Sequence, residues 1–429
     1  MSSVNMVLKR HQSTLIITIV VLVVLIFTFS GVSSVAEVTK VAKVAKFSVK
    51  DQKVSDTAVV QYDGLQNVQN ATLGFGAILM LSLMSRTDRQ DAITLIASQC
   101  DMKISHIIPG VVSEEISEKA YPWGRGLEKL LTPQYMPYLG SWRSHMDTFK
   151  YIIDNKIETA LIIEDDVDWD INIKAQFTAF AQALRTSRLR RPFTEEEFER
   201  APYGLDWDIM HLATSKANMA APPRNKAFIK YNDPYRASSE VANNGCTGPN
   251  GWFCWDEIMA YTKLNETQRA VYPSYESVGL SAIAVSYRGA QRLLYYLSYK
   301  ELVDTLDYSI TDLLRRGALR GWTVTPPLMS EWKTHGKSDS DLKKVGSNSG
   351  PPGNMNGVSA GVAHSARKAL TENLEGEDYW KNEAPYWNRA HNNAKSGTGG
   401  TGGTGGTGGI GGTGGTGDTG DIKVSADDW

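Results

Sequence analysis

Cysteine is nearly missing from this chain: Cys100, Cys246 and Cys254 are the three in 429 residues. Three thiols cannot build a disulfide scaffold, and no Cys-x-x-Cys or Cys/His spacing supplies a zinc site. Cys246 and Cys254 lie close together in a Gly-rich loop; if they pair in an oxidising compartment, Cys100 is left as a buried thiol. Charge of one sign is also lacking. Lys and Arg number 45 against 47 Asp and Glu, a formal net charge of −2, so no global field invites nucleic acid or another polyanion. What is present is apolar material, 41 % of the chain, enough for one large core or two ordinary ones.

One long uncharged run stands near the start. Residues 14–32, TLIITIVVLVVLIFTFSGV, follow a basic flank of Lys9, Arg10 and His11. At ~1.5 Å rise per residue the run spans roughly 28 Å, against a hydrocarbon core of about 30 Å. Positive charge before the run favours a cytoplasmic N-terminus. The expectation is a single-pass type II signal anchor: a tail over 1–13, a transmembrane helix over 14–32 and a stem over 33–72. A cleaved signal peptide is the alternative, since Ser34-Val35-Ala36 offers a small-residue cleavage site. Either way the rest of the chain enters the secretory pathway. The sequons at Asn70 and Asn265 fit a lumenal location.

At the other end, 396–429 opens on a Gly-Gly-Thr repeat that cannot bury a core. The stretch 347–357, SNSGPPGNMNG, marks an earlier boundary. The folded domain is therefore placed at 73–345, with a variable segment over 346–395. Within 73–345 apolar runs alternate with helical patterns. Strands are expected over 75–83, 103–111, the stretch ending at Asp166, 207–213 and the run beginning at Ser281. Helices are expected over 86–100, with Ile93, Ile96 and Ala97 on one face, and within 139–156 after an opening loop, with Met146, Phe149, Ile152 and Ile153 inward. This alternation argues an α/β fold with a mostly parallel sheet flanked by helices. In such sheets ligands bind outside the carboxyl ends of strands.

The stretch 160–170, ALIIEDDVDWD, places five carboxylates within seven residues at one such strand end. Crowded carboxylates raise one another's pKa unless a cation sits among them. A divalent ion with oxygen ligands removes that penalty and can hold a diphosphate. An EF-hand loop starting at Asp166 fails, because Ile171 and Phe177 stand where Gly and Glu are required. A phosphoaspartyl hydrolase also uses Asp-x-Asp after a buried strand, but that strand usually opens its domain. The plainest alternative is a solvated strand end with helix-capping aspartates.

Three stretches weigh against the plain reading. ILMLSLMSRTDRQDAI (78–93), LGSWRSHMDTFKYIIDNKIETALIIEDDVDWD (139–170) and the block from Gly279 to Trp332 resemble, in order and spacing, glycosyltransferase family 25. That family includes lipooligosaccharide and procollagen galactosyltransferases and fungal homologues. The resemblance covers roughly residues 75 to 335 and implies a GT-A-type, Rossmann-like fold. It implies a UDP-hexose donor, galactose above all, a manganese-type ion, inversion at the sugar carbon and a glycan or glycoprotein acceptor. It makes Glu164-Asp165-Asp166 the metal and donor motif, with Asp166 the first choice as ligand, and Glu164 or Asp165 orienting the donor or completing the metal shell. Arg86 and Arg89 match the Arg-rich turn, where their natural use is the donor phosphates or base. Ser144 and His145 match a Ser-His pair beside the donor.

An inverting transfer also needs a base for the acceptor hydroxyl. Asp304, Asp307 and Asp312 are the candidates, and Asp307 best matches the family position. His335 is a late candidate for a metal or diphosphate contact. The chain departs from the family pattern at Ser82-Leu83, where Asn-Leu is usual, and before Ser281. The loop 216–256 carries Trp252, Phe253 and Trp255, which either stack on an acceptor sugar or pack under the loop. The expected location is a Golgi or endoplasmic-reticulum membrane. A lumenal sugar-binding protein of the same fold, without turnover, is the second reading.

Overall fold

A computed structural model describes residues 64–219, 227–238, 255–336, 340–341, 352–359 and 361–375. The expected anchor, stem, C-terminal tail, Cys246, Cys254, Trp252 and Phe253 lie outside the described residues. Among those described, no helix is long and apolar enough to cross a membrane.

Eight strands form the central sheet. In chain order the strands of the molecule are β1 (Ala77–Ser82), β2 (His106–Pro109), β3 (Thr159–Glu164), β4 (Val167–Trp169), β5 (Ile209–Ala213), β6 (Lys216–Asn218), β7 (Ile229–Asn232), β8 (Gln268–Pro273), β9 (Glu276–Val278), β10 (Ala282–Ser286), β11 (Gly321–Thr325), β12 (Met329–Gly336) and β13 (Pro352–Ser359). The main sheet is ordered β2-β1-β3-β10-β5-β11-β8-β7. Only β10 and β8 run against the other six of this sheet. The sheet is thus mostly parallel in direction, as the alternation of strands and helices predicted.

Strand periodicity explains why both faces are covered. Along β1, Ile78 and Met80 enter one core while Ala77, Leu79 and Leu81 enter the other; along β3, Leu161 and Ile163 are split likewise from Ala160 and Ile162. Side chains alternate across a strand, so an unbroken apolar run is stable only where helices lie on both sides. Helices α1 (Thr87–Gln99) and α3 (Ile173–Arg185) cover the first face; α2 (Met136–Asp154), α4 (Tyr287–Leu294) and α5 (Leu306–Arg315) cover the second. Ile93, Ile96 and Ala97 are buried on α1, and Met146, Phe149 and Ile152 on α2. Ile153 is only partly buried. The start of 139–156, expected as a loop, is already helical, because α2 begins at Met136 with a proline in its first turn, a place where a missing N–H costs nothing.

A second, three-stranded sheet is ordered β13-β12-β4. It begins where β3 ends. The chain leaves the main sheet at Glu164, turns through Asp165 and Asp166, and pairs as β4 with β12. Helix α6 (Ala366–Glu375) packs on β4 and α1. Residues 352–375 therefore close over the acidic turn.

Candidate active site

The acidic turn forms one wall of a cleft of about 250 Å³ at the carboxyl ends of β1, β2 and β3. That is the edge where the strand order predicted a ligand. Glu164, Asp165, Asp166, Arg89, Ser144 and His145 all line it. Six sequence-chosen residues from four separate elements thus meet in one place.

Their environments differ. Asp165 is buried and fully engaged: Oδ2 accepts from Ser82 Oγ at 2.7 Å and Oδ1 from Arg89 Nη1 at 2.7 Å. Ser82 therefore fills the departure from the expected asparagine with a hydroxyl donor, itself reached by Gln90 Nε2 at 3.1 Å. Arg89 also contacts Asp166 Oδ2 at 3.2 Å. Asp166 Oδ1, by contrast, is buried with no hydrogen-bond partner. Burial and the charge of Glu331 push the Asp166 carboxyl up to about 7, against the opposing pull of Arg89. Burial, with Asp166, Glu331 and Asp165 in turn, pushes Glu164 up to about 8. The guanidiniums of Arg89 and Arg367 pull Asp166 down without balancing this group of carboxylates.

Glu331 has no counterpart in the sequence-based site. It sits on β12 opposite Val167, beside a hydrogen bond from Trp332 N–H to Asp166 O at 2.7 Å. Its signal in the sequence is the one acid in β12, MSEWKTHG, between the buried Ser330 and Trp332. Arg367, from α6, is a second addition. Its guanidinium donates to Asp165 O at 3.2 Å and to Val167 O at 3.1 Å, over the face of Trp332 at 5.7 Å. Arg367 thus pins the main chain on both sides of Asp166. Asp168 is fully buried, and its Oδ2 accepts from Ser359 Oγ at 2.7 Å and Ser365 Oγ at 2.6 Å. It latches residues 352–375 onto the turn and does not face the cleft.

The opposite wall comes from α2. A Cβ on Gly140 would stand 2.3 Å from Val111 O, so only glycine lets the helix approach the loop after β2 this closely. Ser144 Oγ then accepts from Val111 N–H at 2.9 Å while donating to Gly140 O at 2.9 Å. His145 Nδ1 is 2.9 Å from Ser141 O, so it donates there and leaves Nε2 as a buried lone pair with no partner. Burial holds its pKa down at about 4, so the imidazole is neutral at physiological pH.

The other chosen residues lie elsewhere. Arg86 pairs with Asp88 at 2.9 Å and with Asp341 at 2.6 Å, and Asp341 forms part of the cleft lining. Asp307 does not line the cleft. Its Oδ1 accepts from Thr305 Oγ1 at 2.8 Å and Tyr308 N–H at 2.9 Å in the first turn of α5. Asp304 pairs with Lys129 at 2.5 Å. His335 lies in β12 opposite Gly353, and its side chain is outside the described ones. Trp255 is fully buried beside Met259, so of the two readings given for it, packing is the one that holds. Cys100 is a buried free thiol.

Among the described residues no group of three or more His, Cys, Asp and Glu side chains is placed to hold a metal ion. A small hard cation does not need such a cage. It is commonly held by one or two carboxylates, several waters and the substrate's phosphates. The unpartnered Asp166 Oδ1 beside Glu164 fits that donor set.

No family model matches the chain. Among curated proteins it is similar to mouse procollagen galactosyltransferase 2, 26% identical over 164 residues (35% of this chain, 23% of the relative). It is similar to zebrafish procollagen galactosyltransferase 1, 23% identical over 176 residues (38% and 26%). It is also similar to human procollagen galactosyltransferase 2, 24% identical over 164 residues (35% and 23%). The chain spans about a quarter of the length of the curated relatives it matches.

Proposed function

We propose that this protein is a metal-dependent inverting glycosyltransferase that moves a hexose, galactose foremost, from a UDP-sugar to a hydroxyl of a glycan or glycoprotein. The observation that carries the reading is Asp166: a buried, unpartnered carboxylate oxygen beside Glu164 at a strand end. The names of its distant relatives point the same way. Asp166 and Glu164 would hold a manganese-type ion, which when bound would neutralise charge on the departing diphosphate. Asp165 is a positioning residue, fixed by Ser82 and Arg89. Arg89 and Arg86 serve the donor phosphates, the latter after exchanging Asp341 for phosphate oxygens. His145 offers its lone pair to a donor N–H or O–H.

In the transfer itself, the acceptor oxygen bonds to the anomeric carbon as the bond from that carbon to the diphosphate oxygen breaks. UDP leaves with the electron pair, and the acceptor proton passes to a carboxylate base. Asp307 and Glu331 are the two candidates for that base. Tyr138 feels the charge of both, and Glu331 has the stronger claim because it also acts on Glu164 and Asp166.

A single-pass membrane anchor over 14–32 in the Golgi or endoplasmic reticulum belongs to the same proposal. Asn70 and Asn265 are exposed, as a lumenal glycan site requires. The test is UDP release from a panel of UDP-hexoses with manganese. UDP-galactose is expected to turn over and Asp166→Ala to abolish the release. Failure of every donor to release UDP, with sugars still bound, would favour a binding protein of the same fold.

A further inference from the structure

A second group of rings and charges lies beside the acidic cleft, on residues 121–138 and 302–308. Trp123 is 70% exposed. Its carbonyl accepts from Leu302 N–H at 2.8 Å, and Leu302 O accepts from Gly126 N–H at 2.9 Å. Gly124 has φ +125°, and a Cβ there would meet Leu302 O at 2.6 Å. Glycine is therefore what seats the Trp123 loop against the segment leading to Asp304 and Asp307. Lys129 follows from the same loop. Its Nζ pairs with Asp304 and lies 4.9 Å from the centre of the Tyr135 ring and 5.9 Å from that of Tyr308, itself 41% exposed. The Tyr135 and Tyr138 rings are 5.7 Å apart. Tyr138 follows directly on Pro137, which lines the acidic cleft, so the ledge adjoins it along the first turn of α2.

We propose that the ledge formed by Trp123, Lys129, Tyr135, Tyr138, Asp304 and Tyr308 binds a carbohydrate acceptor. The proposal rests on the transferase reading, and it names where that enzyme's second substrate sits. Flat aromatic faces receive the C–H faces of pyranose rings, and an interleaved Lys–Asp pair exchanges hydrogen bonds with sugar hydroxyls on either side. A peptide would instead ask for a strand edge or an apolar groove. The ledge has neither: its described elements are helices and loops, and its rings alternate with charges.

The test is saturation-transfer NMR on the full chain with lactose and methyl α-D-mannopyranoside as probes, run beside a UDP-galactose hydrolysis assay with manganese. Sugar C–H protons are expected to take up saturation in the wild type. Trp123→Ala and Tyr308→Ala should each weaken binding about ten-fold, the value of one good ring contact. Both rings are exposed, and matching melting midpoints verify that the variants fold. Equal saturation in wild type and both variants, or none in the wild type, overturns the proposal. A signal from a collagen-derived peptide with none from either sugar overturns it in favour of a peptide acceptor. Hydrolysis without sugar binding sinks the ledge and leaves the transferase reading standing; ring-dependent sugar binding without hydrolysis does the reverse.

Discussion

Replacing Asp166 with asparagine should stabilise the metal-free protein at pH 8 while removing its response to manganese. The folded-state pKa of Asp166 is raised to about 7 from 3.8. The folded state therefore binds the proton more tightly than the unfolded chain does. Stability from this group is full below about pH 4, falls as pH rises through about 7, and stays lost above that. A rise of about 3 pH units corresponds to roughly 4 kcal/mol as a ceiling. Glu164, raised to about 8 by the same crowding, relaxes when Asp166 is neutralised and shares the relief, so a gain on the order of 2 kcal/mol is the working figure. For a domain of this size that is about 4 °C in melting midpoint. The gain should shrink to almost nothing at pH 4, where Asp166 is already protonated. Thermal unfolding by circular dichroism, at pH 4 and pH 8, with and without millimolar manganese, reads all of this. The wild type should gain stability from manganese, more at pH 8 than at pH 4, because protons compete for the same oxygens. The Asp166→Asn variant should gain none. If the variant is less stable than wild type at pH 8 without metal, Asp166 is not an uncompensated carboxylate and the reasoning fails.

Three other outcomes follow from the same geometry. Arg367→Ala should lower kcat/KM at least ten-fold and raise the manganese concentration needed for half-maximal rate, with millimolar guanidinium restoring part of the loss; an unaltered manganese dependence would reduce Arg367 to packing. Glu331→Gln should cut kcat by about 10² or more, whereas Asp307→Asn should cost far less; the reverse order would make Asp307 the base. Asp168→Ala leaves two buried serine hydroxyls without their acceptor and should cost about 2–4 kcal/mol in denaturant unfolding, while Asp168→Asn, which keeps one acceptor oxygen, should cost less.

The amino-acid sequence by itself determined the α/β class, the strand that carries the acidic turn and most of the cleft wall. The reason is that local signals were strong there: Ala160–Ile163 is apolar throughout, as a strand buried on both faces must be, and Met146, Phe149 and Ile152 recur at helical spacing on the buried face of α2. Their convergence with Arg89 follows from parallel strands delivering their carboxyl ends to one edge. Only the tertiary structure decided which carboxylates answer to which partner. Asp165 and Asp166 are neighbours in sequence, yet one is spent on Ser82 and Arg89 while the other keeps a bare oxygen. Asp168, two residues on, is captured by serines nearly two hundred positions away. Glu331 and Arg367 join the site through strand pairing and helix docking over similar distances. No local pattern encodes such contacts, because they depend on which surfaces become adjacent once the sheet has folded.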